Sequence, residues 1–501
     1  MKRRLYAPAV IFIGLLSAQI VATAHVYLSN LDLLQATEAV MRAGYLAVPN
    51  DWVAQRLPSL VTAMAGGLFF TLSIGAGLTL AALIAVWIWD RVCQRRLKAT
   101  VILLFIWLCG LVVVNDNGWN LVASTYCLVV PLVTAVAAIQ LLPPRTTLLS
   151  PSGVLWPVSA AIALALLWGL VMDRHMFVNI RDHLLLSNRV GQSITEAYYA
   201  YTLFPAEAFK SLDQKQIRTC VLDGSISRSE RAQLERTFRT RDYLPLPDGN
   251  PADLFVARDK QATELVLGDR HRAVLHVPEK ELLSVPGGAL ADYSQKMDRN
   301  RMFRWLTLTF LLLGFPLVLF TIGFCFVGSL PNLFLTVNLS NIIAAVICVL
   351  VGGVLLVPVY QGYSATIGTE DPALALASDS LNTRIAALRR ACDDRKDVSA
   401  AAGRHGIAES GNIAERYWLA RSLAYAKNPA AQAMLLKLAD DPEAIVSCQA
   451  LWAMGQRKDR EAIPAIIARI KASSHWYVQM YGYRALRTLG WVQPRSQQLS
   501  Y

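Results

Sequence analysis

The 501-residue chain is 54% hydrophobic and only 17% charged, with a formal net charge of +12 at pH 7. So low a charged fraction, against roughly 25% in ordinary soluble proteins, excludes a simple soluble enzyme and points to a membrane protein. In such a chain a basic excess reads as topology signal, and no nucleic-acid partner is expected.

Met1-Lys-Arg-Arg precedes an apolar stretch from Ala7 to about Leu28, so residues 1–28 read as a signal anchor. Ala22-Thr-Ala24 has the small-x-small form of a cleavage site, which leaves a signal peptide open as the alternative. Either reading places the next loop, about residues 29–58, outside the cytoplasm. Apolar runs follow at about 59–89, 99–114, 118–142, 153–173, 303–327 and 333–359. Each reaches or approaches the roughly 20 residues that cross a bilayer as a helix, giving about seven spans: the anchor, a four-span region over 59–173 and a hairpin over 303–359. With the N-terminus inside, Lys2, Arg3, Arg4, Arg91, Arg95, Arg96, Lys98 and Arg145 are cytoplasmic, and the short outer loops hold only Arg42 and Arg56. This positive-inside bias puts residues 174–302 and the C-terminus outside a bacterial cytoplasmic membrane. Lys296, Arg299, Arg301 and Arg304 at the start of the sixth span run against it, but long translocated domains override local charge.

Ala63, Gly67, Gly75 and Gly77 form small-residue faces for close helix packing. Asn338, Ser340 and Asn341 read as interhelical hydrogen-bonding groups rather than a transport pathway. Only His25 approaches a span, so a membrane cytochrome is not expected, and no cofactor is assigned.

The block from 174 to 302 reads as a small α+β domain. Residues 176–188 predict a juxtamembrane amphipathic helix with Phe177, Ile180 and Leu184 on its apolar face. Asn188-Arg-Val-Gly191 breaks it, and Ser193-Ile-Thr-Glu196 has the form of a capping box. The helix beyond carries Tyr198 and Tyr201, with Tyr199 on its flank. Phe204-Pro205 interrupts, and a further turn bears Glu207 and Lys210. Ser227-Arg-Ser-Glu230 is a second capping box, opening a charged helix to about Arg239. Strands are expected at Asp242–Leu246, in two pieces over Leu254–Leu267 around Asp259-Lys260, and at Ala273–Val277. Pro247-Asp-Gly-Asn-Pro251 and Gly268-Asp269 punctuate them, giving a short antiparallel sheet. Pro286-Gly-Gly288 starts a helical return to the membrane.

Residues 360–379 read as a linker rich in Ala, Thr and Asp. From Ser380 the pattern is helical and repetitive, an α-solenoid over 380–501: Arg421-Ser-Leu-Ala-Tyr-Ala426, Ala450-Leu-Trp-Ala-Met-Gly455 and Ala485-Leu-Arg-Thr-Leu-Gly490 recur. Second helices fall at Ala431–Leu438 and Ile463–Ile470, and Asp440-Asp-Pro-Glu443 makes the turn between units. On Asp-Asp-Pro-Glu, Ala-Leu-x-Ala-Met-Gly and Ala-Ile-Pro-Ala-Ile-Ile, the stretch from Ile413 to Trp491 resembles HEAT-type repeats of the phycobilisome-lyase-like kind. The resemblance implies a paired-helix solenoid that binds partner proteins. It departs at Trp476-Tyr-Val-Gln-Met-Tyr-Gly-Tyr483, where aromatics replace the usual small residues.

The chain has no Gly-x-Ser-x-Gly elbow, Walker loop, His-Glu-x-x-His or Gly-x-Gly-x-x-Gly. Its eight cysteines include no Cys-x-x-Cys, and Cys392 and Cys448 read as helix-borne free thiols rather than a bridge. Arg181-Asp182-His183 reads as an interfacial charge cluster; His175 with His183, and His271 with His276, are weak metal pairings by spacing. Trp476, Tyr477, Tyr481 and Tyr483, with Tyr198 and Tyr201, are the candidate partner contacts, because aromatics dominate binding hot spots. The expected function is a non-enzymatic membrane scaffold or anchoring subunit in contact with lipids and other envelope proteins. The alternative is a membrane-bound enzyme on a lipid-linked or envelope substrate, with Arg181, His183, Glu196 and Glu207 as candidate catalytic groups.

Overall fold

The computed structural model describes residues 5–143, 151–171, 175–259, 264–270, 272–367 and 371–494. Lys2, Arg3, Arg4, Arg145, Lys260 and His271 lie outside the described residues. Helix makes up 73%, so the fold class is mainly α, and its one sheet is small and mixed. The chain forms two compact units: one from Met1–Leu28, Leu60–Phe177 and Arg299–Tyr360, the other from Ser29–Ser59, Val178–Asp298 and Gln361–Tyr501.

The first unit is a bundle of apolar helices. Six described helices are long and apolar enough to cross a membrane: Tyr6–Arg42, Leu60–Arg91, Leu97–Val114, Leu121–Gln140, Arg301–Leu333 and Val337–Gly362. The expected fifth of seven spans is a shorter apolar helix, Val154–Gly169. Small residues let the backbones approach. A Cβ on Gly77 would lie 2.0 Å from the Phe310 ring, and Gly314 faces the backbone of Gly77. Gln19 ties two helices together by donating to the Met64 carbonyl and accepting from Thr71 Oγ1. His25 packs in a cluster of Phe70, Tyr126 and Phe303, with ring centroids 5.0–6.1 Å away. Ser340 donates to the Thr336 carbonyl of its own helix rather than across to another.

The first helix does not end with its apolar run. It continues to Arg42, where residues 29–58 were expected to be loop. Ser29–Arg42 holds three Leu and two Ala, good helix formers in water as well as in lipid, and no breaker occurs before Gly44.

In the second unit, five strands form one sheet: β1 Arg218–Leu222, β2 Tyr243–Pro245, β3 Leu254–Arg258, β4 Glu264–Gly268 and β5 Ala273–Pro278. Their order is β2-β1-β3-β4-β5. β1 pairs parallel with both β2 and β3, and only β3, β4 and β5 are antiparallel. The antiparallel expectation therefore fails in half of the sheet. The reason is β1, which inserts between β2 and β3 and reaches β2 by a parallel crossover through the Arg228–Arg239 helix. The capping box predicted for that helix is present: Ser227 Oγ accepts from Glu230 N, and Glu230 Oε2 from Ser227 N.

The sheet is covered on both faces. Cys220 and Leu222 join Leu234, Phe238, Tyr243 and Tyr293 on one side. Val221, with Leu244 and Leu246, meets Ala39, Val40 and Tyr45 from the end of the first helix on the other. The alternation follows from the two-residue period of a strand. The Pro286–Met297 helix supplies Tyr293, whose hydroxyl is shared between the carbonyls of Asp253 and Gly268, each 2.9 Å away. After the last span the helix runs on to Ile367, into the stretch expected to be linker.

Candidate functional site

The C-terminal helices stack in two rows. Leu381–Asp393, Ile413–Ser422, Ala444–Gln456 and Trp476–Thr488 pack side by side in the first. Pro429–Ala439 and Ile463–Ala472 lean on them as members of the second. The Asp440–Glu443 turn is a joint between units. Asp441 accepts from Glu443 N at 2.9 Å and takes Arg416 of the preceding unit on both oxygens, at 2.7 and 3.2 Å. Such a two-point guanidinium grip fixes orientation as well as distance.

The face of the first row closes over the Asn179–Leu185 segment. Asp182 Oδ2 accepts from Trp418 Nε1 at 2.7 Å and Oδ1 from Arg181 Nε at 2.8 Å. Arg181 lies 3.8 Å from the centroid of the Tyr417 ring, and Arg389 Nη1 donates to Asn179 Oδ1 at 2.6 Å. The Arg389 guanidinium also stands 5.4 Å from the Trp418 ring. Burial opposes the charge on Arg181, but Asp182 and Tyr417 outweigh it and hold the guanidinium above its usual range. Burial lowers the His183 imidazole, with Arg389 adding to the effect and Asp182 and Asn382 opposing it. That ring occupies space that a side chain at 362 would take: a Cβ on Gly362 would lie 2.0 Å from His183 Cδ2.

A second set of contacts holds the last repeat helix. Asn50 N donates to Gln479 Oε1 at 3.0 Å, and Gln479 Nε2 donates back to Asn50 Oδ1 at 2.7 Å. Asp242 Oδ1 accepts from Tyr483 Oη at 3.0 Å and pairs with Arg487 Nε at 2.8 Å. Tyr199 stacks edge-on between Tyr198 and Tyr477, at 5.3 Å from each, and the Tyr477 hydroxyl lies 3.1 Å from Thr202 Oγ1.

Residues 404–487 match the family model of HEAT repeats. No curated protein and no solved structure matches the chain. A protein-interaction role is what such repeats suggest in general, and here the first row of the HEAT repeats is engaged with segments of its own chain.

The sequence-predicted residues separate into three places. Arg181 and His183 meet Trp418, Tyr417 and Arg389, and within Met176–Leu185 the polar Asn179, Asp182 and His183 are buried while Phe177 is 68% exposed. Polarity alone marks that face as solvated; its partners lie more than 200 residues downstream and reward burial by hydrogen bonding. Glu196 is exposed, and Ser193 is no cap, because the helix begins at Arg189. Asn188 caps it instead, accepting from Gly191 N at 2.8 Å. Trp476 and Tyr483 are buried, Tyr477, Tyr481 and Tyr201 are half-buried, and Tyr198 is 54% exposed. Glu207 lies in the wall of a cavity of about 430 Å³ that Trp476 also lines. Asp32, Lys215, Asp253, Trp418 and Arg389 were not foreseen. Cys392 and Cys448 are buried free thiols.

Proposed function

We propose that this chain is an integral membrane scaffold, an assembly or anchoring subunit of an envelope complex. The observation that carries the reading is the set of HEAT repeats on the same chain as six described helices apolar and long enough to span a bilayer. The repeats and residues 174–302 stand on the outer side of a bacterial inner membrane, as the short-loop charge asymmetry supports. Interaction with partner proteins centres on Tyr198, the exposed member of the tyrosine group. Tyr199 packs edge-on against it and is itself packed against Tyr477, so ordering it on contact loses little side-chain entropy. Tyr477, Tyr481, Trp476 and Tyr483 on the last repeat helix, and Tyr201 beside it in sequence, are proposed as further members of the contact surface.

Purification of the full chain in mild detergent tests this. A partner at fixed stoichiometry, lost in Tyr198→Ala, is expected; an unchanged set of co-purifying proteins would refute the assignment. A reporter active only in the cytoplasm, fused after Tyr501, is expected to be silent.

One observation favours a second reading, an enzyme on a lipid-linked or envelope substrate: Glu207 and Lys210 pair in the wall of a ligand-sized cavity. Arg181 and His183 belong to the buried network and Glu196 to an exposed surface, so the four candidate groups do not converge. Glu207→Gln abolishing function while complex size stays normal would favour the enzyme over the scaffold.

A further inference from the structure

The cavity around Glu207 has the make-up of a ligand site. Its volume of about 430 Å³ lies within the few hundred to a thousand cubic ångströms of small-molecule pockets. Leu33, Val40, Val48, Ile217, Ala252 and Trp476 give it an apolar wall. Among its charged residues, Lys215 Nζ binds Asp253 Oδ1 at 2.6 Å, and Asp253 Oδ2 accepts from Thr219 N at 2.9 Å and Thr219 Oγ1 at 3.2 Å. Lys210 is paired with Glu207. Both cations are therefore spoken for. Asp32 remains, a carboxylate in the lining that makes no hydrogen bond or ion pair with any described residue. Three carboxylates against two ammonium groups leave the lining with a net negative charge.

A second observation is independent of the first. Trp476 is only 5% exposed, lines the same cavity, and its indole N–H has no acceptor among the described residues. A buried donor left unmet is rare in folded proteins, and a ligand oxygen is one way to meet it. The site thus asks for a cation, a hydrogen-bond acceptor and an aliphatic body between them.

We infer that this cavity binds an aliphatic ammonium compound bearing a carbonyl group, with the ammonium on Asp32, the carbonyl on the Trp476 indole N–H and the methylenes against Leu33, Val40 and Val48. A lysine residue in a peptide and a free amino amide share this chemistry. The inference is separate from the scaffold reading, which does not use the cavity.

Titration calorimetry on the full-length chain in non-ionic detergent tests it, with Nα-acetyl-lysine-N-methylamide as the probe. The probe is expected to bind, and the uncharged norleucine analogue to bind at least about tenfold more weakly, the factor that one charged hydrogen bond commonly supplies. Asp32→Asn, at an exposed position that makes no hydrogen bond or ion pair with any described residue, is expected to weaken the lysine probe by a similar factor and leave the norleucine analogue unchanged. Cadaverine, which keeps the ammonium but has no carbonyl, is expected to bind less well than the probe. Absence of binding, equal binding of the norleucine analogue, or an Asp32→Asn chain that binds like the parent would each overturn the inference. A capped Ala-Lys-Ala peptide separates the sources: binding as tight as the probe assigns a peptide side chain, and exclusion a free amino amide.

Discussion

In the bundle of apolar helices many large hydrophobic residues are on the outside. Only 6% of the Leu97–Val114 window is buried, and Phe105, Ile106 and Val112 are all more than half exposed. In the unit that carries the sheet and the repeats, charges are on the inside: Asp182, Glu235, Arg389, Glu415 and Asp441 are each under 9% exposed. The first pattern is stable only where the surrounding medium is itself apolar. The second is stable only where each buried charge has a partner, since a lone ion away from water is costly. The difference teaches where specificity resides. Apolar surface against lipid accepts many neighbours, whereas a network such as Arg181–Asp182–Trp418 accepts one arrangement.

The largest way to break that contrast is to orphan a charge. Asp182→Ala leaves Arg181 buried without its carboxylate, and a loss of about 3–5 kcal/mol in chemical unfolding of the repeat-bearing unit is expected. A loss under about 1 kcal/mol would mean that the network contributes nothing beyond packing.

Acid probes the same unit by another route. Burial, aided by Arg56, lowers the His475 pKa from the ordinary 6.5 to about 4. The unfolded chain then binds the proton more readily than the folded one between those values. Stability is therefore full above pH 6.5 and falls as pH drops toward 4, by about 2–3 kcal/mol. His183, lowered as well, acts in the same direction. Melting curves across pH 7 to 4 should show the slope, and His475→Gln should flatten part of it.

In the apolar bundle the sensitive feature is close approach rather than charge. Gly77→Ala drives a methyl into Phe310 and is expected to cost about 1–3 kcal/mol, read as loss of folded protein in detergent. Asp182→Ala should leave this bundle's stability unaltered, which sharpens the contrast between the two units.

The repeats were legible because their period and the Ala-Leu-x-Ala-Met-Gly signature are local. Strands β2 to β5 were legible because Pro247–Pro251 and Gly268-Asp269 punctuate them. β1 was not. Cys220-Val-Leu222 is buried on both faces, so it shows no alternation, and without it the parallel half of the sheet has no sign in the sequence. The Ser193 capping box misled because Asn188, five residues earlier, had already met the helix's open amides. The cavity was illegible for a related reason: Asp32, Glu207, Asp253 and Trp476 come from four distant stretches that only the fold brings to one wall.

The repeats grip their own chain with the first row, and Tyr198 on the Arg189–Tyr201 helix is the proposed partner contact. Its most direct measurement is quantitative co-purification from the native membrane with the parent chain and Tyr198→Ala, alongside the melting temperature of each. The account predicts a stoichiometric partner that Tyr198→Ala loses while its stability stays within about 0.5 kcal/mol of the parent, as for an exposed substitution. The same partner retained at the same stoichiometry by Tyr198→Ala would contradict it.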